Sequence, residues 1–161
     1  KTPEKVKRHD VLSADEMKTK VEELIEDCDI FISAAAVSDF KPKEIYKNKI
    51  KKKGNEKHLN LKMDKNSDIL KVISEKNLNL KTVGFAAETE NLLSNAKKKL
   101  SQKKLDLIVA NDVSNKDIGF DSDENEVTLI TKKEQKKIKK ASKKIVSKKI
   151  VEFIASRVVN D

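Results

Sequence analysis

Two short stretches place chemically capable side chains where an apolar run stops, and a pair of lysines adds to them. Ser33, Ala34, Ala35 and Ala36 follow Ile30-Phe31-Ile32, and Asp39 stands just beyond them. A carboxylate past a buried strand can hold Mg²⁺ next to a ligand. The small side chains before it would let a flat or bulky group lie against the backbone. Asp39 could equally cap a turn. Phe85, ahead of Ala86-Ala87-Glu88-Thr89, can stack on a nucleobase or simply fill a core. Lys99 and Lys103 are four residues apart, so on a helix they share one face. That face could grip phosphates, or stand in water as surface lysines ordinarily do.

Lys49-Ile50-Lys51-Lys52 lies in a polar stretch, residues 41–57, that also holds Pro42 and Gly54. A loop of that length in a small domain often serves as a lid. Lysines on a lid closing over a polyphosphate would cancel charge that builds up in a transition state. On a loop that stays open, they are only solvated.

Other chemistries find little to work with. The two histidines, His9 and His58, stand in no ligand-spaced motif, and neither they nor Cys28 fall at the strand ends. This argues against a Ser-His-Asp or Cys-His nucleophile and leaves phosphoryl or nucleotidyl transfer open, where positioning, metal and lysines carry the reaction. One cysteine cannot form an internal disulfide and fits a reducing, cytoplasmic setting. Gly54, Gly84 and Gly119 supply neither a dinucleotide-binding glycine loop nor a Walker A loop. No apolar stretch approaches the ~18 residues of a membrane span.

The elements that must position these residues follow from periodicity. Ser13 and Glu16 form a capping box for a helix to about Asp27, with Met17, Val21, Leu24 and Ile25 on one face. Val6–Leu12, Ile30–Ala36, Thr82–Ala86, Leu105–Ala110 and Glu126–Thr131 read as strands, and Leu59, Leu61 and Met63 alternate as a half-exposed one. Asn66-Ser67-Asp68 caps a short helix, and Thr89 starts another reaching about Lys104. Strand alternating with helix, with strands apolar on both faces, predicts an open, mostly parallel α/β sheet. Ligands of such sheets sit beyond the carboxyl ends of the strands. With 161 residues and no internal repeat, residues 1–161 are expected to form a single domain.

The chain carries a net charge of +9, and residues 132–149 alone hold ten lysines and one acid, Glu134. A basic nucleic-acid-binding module is the alternative this suggests. The spacing of Ile138, Ala141, Ile145, Val146, Ile150, Phe153 and Ile154 instead predicts one lysine-rich helix with a packed apolar stripe. Aromatics are 4% of the chain, too few for base-stacking platforms, which weighs against nucleic acid.

Taken in order, Ala34-Ala35-Ala36-Val37-Ser38-Asp39-Phe40, Lys49-Ile50-Lys51-Lys52, Lys65-Asn66-Ser67-Asp68-Ile69-Leu70, Val83-Gly84-Phe85-Ala86-Ala87-Glu88-Thr89 and Leu105-Asp106-Leu107-Ile108-Val109-Ala110-Asn111-Asp112 resemble the phosphopantothenate–cysteine ligase family. The resemblance runs from about Val6 to the C-terminal helix. It implies a Rossmann-like domain that forms a homodimer and joins 4′-phosphopantothenate to cysteine, with CTP as co-substrate and Mg²⁺ as cofactor, through an acyl-cytidylate. Position by position, it implies nucleotide contacts at Ser33, Ala34, Ala35, Asp39, Lys49, Lys65, Asn66, Ser67, Asp68, Phe85, Lys99 and Lys103. It implies Mg²⁺ at Asp39, and a lid lysine at Lys49 that acts on the acyl-cytidylate. The family's opening strand and its Ser-, Gly- and Asn-rich loop have no counterpart before Lys1. The resemblance therefore implies incomplete activity for these residues alone.

Overall fold

The computed structural model describes residues 2–46, 48–51, 57–76, 79–88, 90–112 and 122–159, with the side chain of Asp112 left aside. The chain divides into two compact units: Lys1–Glu23 with Ala36–Asp68, and Leu24–Ala35 with Ile69–Asp161.

The second unit is built on a five-stranded sheet. Its order is β1 (Ile30–Ser33), β4 (Lys81–Glu88), β5 (Leu107–Asp112), β6 (Glu124–Ile130) and β7 (Gln135–Ser142). β1, β4 and β5 run parallel, and β6 and β7 continue the sheet antiparallel. The apolar runs predicted for doubly covered strands are what the sheet needs. On one face Val83, Leu107, Val109, Val127, Leu129 and Ile138 pack with Val146, Ile150 and Phe153 of α4 (Lys143–Phe153) and with Ile154 and Val158 of the π-helical turn that follows. On the other face Ala86, Leu105, Ile108, Ala110 and Ile130 pack with Leu70 of α2 (Ile69–Ser74) and with Ala96 and Leu100 of α3 (Leu92–Gln102). Neighbours in sequence alternate between these two cores, as the pleat requires.

Gly84 lies on this second face, against Leu70 and Leu105. A Cβ there would stand 2.7 Å from Leu70 Cδ2 and 2.9 Å from Leu105 Cδ1, so a larger residue fits only if those two side-chain ends shift.

The first unit contains α1 (Ala14–Leu24) up to Glu23, and an antiparallel pair, β2 (Phe40–Pro42) with β3 (Met63–Lys65), in which Phe40 faces Lys65. The predicted capping box forms in part: Ser13 Oγ accepts from the Glu16 N–H at 3.1 Å, while Glu16 Oε2 accepts from the N–H of Leu12, at 2.8 Å, rather than from that of Ser13. Lys41 on β2 is ion-paired to Asp15 of α1. Asn66 is the single buried residue among the described residues of this unit. Leu12, Ile45 and Leu59 are 97%, 89% and 63% exposed.

Several elements differ from the expectations. Residues 6–12 form no strand, since among the described residues they have no ladder partner to satisfy their backbone groups. β1 stops at Ser33 rather than Ala36, and as an edge strand leaves Ile32 exposed. α3 starts at Leu92 with Asn91 at its N-cap; Thr89, its expected start, lies outside the described residues. The lysine-rich segment is not one helix. Gln135–Ser142 is a strand whose Ile138 pairs with Val127 of β6, and the helix begins only at Lys143. Lysine's helix propensity is worth a few tenths of a kcal/mol and yields to pairing along β6. Lysines on such an edge strand also deter pairing with other chains.

Candidate functional site

Of the expected site residues, Ser33, Ala34, Ala35, Phe85, Lys99 and Lys103 belong to the sheet unit. Asp39, Lys49, Lys65, Asn66, Ser67 and Asp68 belong to the other.

In the sheet unit, β1 and β4 keep register from Ile30 opposite Lys81 to Ser33 opposite Gly84. β1 then ends while β4 runs on to Glu88. From Phe85 onward, β4 has no described strand on its β1 side. Ala34 and Ala35, which leave β1 there, are exposed. Phe85 is 39% exposed between buried Gly84 and Ala86, an aromatic face left open in the carboxyl half of a central strand.

Alternation along β4 puts Phe85 on the side of Val83, facing the α4 core, and Glu88 on the side of Ala86, facing α3. Lys99 and Asn95 on α3 both reach Glu88. Lys99 Nζ is 2.6 Å from Glu88 Oε1, and Asn95 Nδ2 donates to Glu88 Oε2 at 3.2 Å. Phe85 and Lys99 thus lie on opposite faces of the sheet, with Lys99 drawn to the carboxyl end of β4. A single ligand reaches both only by crossing that end. Lys103 follows the last turn of α3, its N–H bonded to the Lys99 carbonyl at 3.0 Å, and is half-buried. At the end of β5, opposite Ala87, the Asn111 Oδ1 is buried without a partner among the described residues.

In the other unit, Asn66 secures the Ser38-Asp39 turn. Its N–H donates to the Asp39 carbonyl and its Nδ2 to the Ser38 carbonyl, each at 2.8 Å. Because Nδ2 meets a carbonyl, the amide orientation is fixed; Oδ1 is buried without a partner among the described residues. Asp39, Lys49, Lys65 and Ser67 are exposed, and Asp68 is half-buried. Lys52 lies outside the described residues. None of the expected site residues lines the shallow hollow formed by Pro42, Glu44, Tyr46, Asn60, Leu61 and Lys62.

Among the described residues, no group of three or more His, Cys, Asp or Glu side chains could cage a metal ion. Asp39 offers one exposed carboxylate, which leaves only the mode of Mg²⁺ binding in which one or two carboxylates share the ion with substrate phosphates and water.

Glu88, Asn95 and Asn111 were missed as site residues by reasoning from sequence. The i, i+4 spacing of Asn95 and Lys99 is compatible with both meeting one group, but nothing in the sequence names that group as a carboxylate on a neighbouring strand. The lysines of residues 132–149 are divided between strand and helix. Lys137 pairs with Glu126 at 2.6 Å, Lys140 with Glu124 at 3.3 Å, and Lys148 with Glu152 at 3.9 Å. The nucleic-acid alternative gains no support from this arrangement. No helix among the described residues is long and apolar enough to cross a membrane.

An open α/β sheet flanked by helices, with polar and charged side chains at the ends of its parallel strands, defines the class. Residues 1–158 match the DNA/pantothenate metabolism flavoprotein C-terminal domain, and the chain belongs to that family. It is 42% identical over 154 residues to the coenzyme A biosynthesis bifunctional protein CoaBC of Vibrio vulnificus, an alignment covering 95% of this chain and 38% of that protein. It is 43% identical over 147 residues to the Bacillus subtilis CoaBC, covering 91% and 36%. The chain therefore spans less than two-fifths of the curated relatives it matches. Among solved structures, the C-terminal domain of a CoaBC superposes with a TM-score of 0.74 at 30% identity, covering 94% of this chain and 65% of that one. A Cab2 mutant, H337A, in complex with phosphopantothenate-cysteine superposes with a TM-score of 0.65 at 18% identity, covering 86% and 50%, a likeness of fold alone.

Proposed function

We propose that this chain is a synthetase domain that joins 4′-phosphopantothenate to cysteine at the expense of CTP, as part of coenzyme A synthesis in the cytoplasm, acting as a homodimer. In the first step, a carboxylate oxygen of phosphopantothenate attacks the α-phosphorus of CTP and the bond to pyrophosphate breaks. In the second, the cysteine amine attacks the acyl carbon of the resulting acyl-cytidylate, the bond to CMP breaks, and the amine gives up a proton. The attacking carboxylate is already ionised and needs no general base. It needs its repulsion from the triphosphate cancelled, which lysines can do. Bound Mg²⁺ at Asp39 would supply further charge neutralisation.

Phe85 would stack on the cytosine, Ser33, Ala34 and Ala35 would lie against the nucleotide, and Lys99 and Lys103 would take its phosphates. Lys65, Asn66, Ser67 and Asp68 would make further nucleotide contacts, and Lys49 would act on the acyl-cytidylate. These roles rest on the family resemblance. One structural observation supports the reading: the exposed Phe85 ring and the Glu88-bound Lys99 ammonium both stand on the carboxyl half of β4, on opposite faces of the sheet, where a base and its anionic tail could engage them by crossing the strand's end.

Thermal melts with Mg²⁺ and CTP, ATP or no nucleotide test it. CTP is expected to raise the Tm more than ATP. A pyrophosphate-release assay with phosphopantothenate, with and without cysteine, separates the two steps. No shift with CTP at millimolar concentration would refute the reading.

A further inference from the structure

We propose that Glu88 is a positioning residue whose carboxylate fixes the Lys99 ammonium at the carboxyl end of β4 for a polyphosphate. The proposal deepens the nucleotide reading above and rests on it. The Glu88 side chain is 15% exposed and that of Lys99 44%, so the acid is the fixed partner and the base the reachable one. The acid is itself oriented. Asn95 and Lys99, one turn apart on α3, take different oxygens of the same carboxylate, at 3.2 Å and 2.6 Å, which leaves it little freedom to turn. An ammonium has three donors. Glu88 uses one, and among the described residues no other group takes the remaining two, which could meet phosphate oxygens. A free lysine must give up several rotatable bonds to bind an anion; one already tethered gives up fewer.

Electrostatics alone predicts the opposite sign. A carboxylate beside a phosphate site repels the ligand, so if Glu88 merely sat nearby, removing it would tighten binding. If Glu88 positions Lys99, removing it loosens binding, and only while Lys99 is present.

The test is calorimetric titration of the whole chain with Mg·CTP and, separately, with inorganic triphosphate. It uses wild type, Glu88→Ala, Glu88→Gln, Lys99→Ala and the double variant Glu88→Ala/Lys99→Ala. We expect Glu88→Ala to weaken both ligands about 3- to 10-fold, toward the lower end of the coupling between contacting residues. Glu88→Gln, whose amide oxygen still accepts from the ammonium, should recover part of the loss. The double variant should bind no more weakly than Lys99→Ala. Tighter binding by Glu88→Ala, or an equal loss in the Lys99→Ala background, overturns the proposal. Should Glu88→Ala fail to fold, the same comparison is made with Glu88→Gln. Wild type that binds triphosphate but not CTP would refute the cytidine reading and leave Glu88 judged on triphosphate. Wild type that binds neither overturns both.

Discussion

Asp106 and Thr82 hold each other through three hydrogen bonds. Asp106 Oδ2 accepts from the Thr82 N–H at 2.7 Å and from its Oγ at 3.2 Å, while the Asp106 N–H donates to the Thr82 carbonyl at 3.0 Å. The bracket joins the start of β4 to the residue just ahead of β5, at the end of the sheet opposite the candidate site. Thr82 is 4% exposed, so its N–H has little water to turn to. Asp106→Ala is expected to cost about 1–3 kcal/mol, the penalty of an unpaired buried donor. Asp106→Asn keeps one acceptor and should cost less. Urea denaturation checks both, as a fall in midpoint at unchanged slope.

Gly84→Ala asks for space that Leu70 and Leu105 occupy. Both are flexible at the tip but buried, at 8% and 1% exposed, so neither can move without disturbing the core. Overpacking of this kind costs about 1–3 kcal/mol, which for a chain of this size lowers the Tm by roughly 2–12 °C. Leu70→Ala removes the nearer of the two contacts, so the double variant should lose less than the sum of the singles. Additive losses in thermal melts would show that the two side chains do not compete for space.

What was legible in the sequence was the part that local pattern dictates. Leu107-Ile108-Val109-Ala110 is apolar at every position because β5 has a core on each face, and a doubly covered strand has no side left for polar residues. Ser13 and Glu16 announced a helix start because a cap is a local hydrogen bond. The Lys136–Ser142 stretch misled because its one buried residue, Ile138, suits a helix stripe and a strand equally, and the deciding partner, Val127, lies on another strand. For the candidate site, sequence indicated the strand ends and Lys99. It did not show that Phe85 and Lys99 approach from opposite faces, or that Glu88 meets Lys99, because both facts depend on where α3 packs.

Tyr46 offers a direct readout of a local charge. The Glu44 carboxylate accepts from the Tyr46 hydroxyl at 3.2 Å. That hydrogen bond first, and then the carboxylate's negative charge, raise the phenol above its ordinary value. The chain has one tyrosine and no tryptophan, so tyrosinate absorbance reports this group alone. Glu44→Gln is expected to bring the titration midpoint down. An unchanged midpoint would mean that the pair does not form in solution.

Phe85→Ala separates recognition of a base from recognition of its phosphates. The ring is 39% exposed, so truncation costs less than at a buried phenylalanine such as Phe153, 4% exposed, and the melting curve should move correspondingly less. Stacking of a base on an aromatic ring contributes roughly 1–3 kcal/mol, so Phe85→Ala should weaken Mg·CTP by about 5- to 150-fold. Inorganic triphosphate offers no base and should bind Phe85→Ala as it binds wild type. Lys99→Ala should weaken the two ligands alike, because it acts on the part they share. Phe85→Tyr keeps the π face and should retain CTP binding, whereas Phe85→Leu keeps apolar area without that face and should fall between wild type and alanine. If Phe85→Ala weakened triphosphate as much as CTP, the ring would be supporting the strand end rather than meeting a nucleobase.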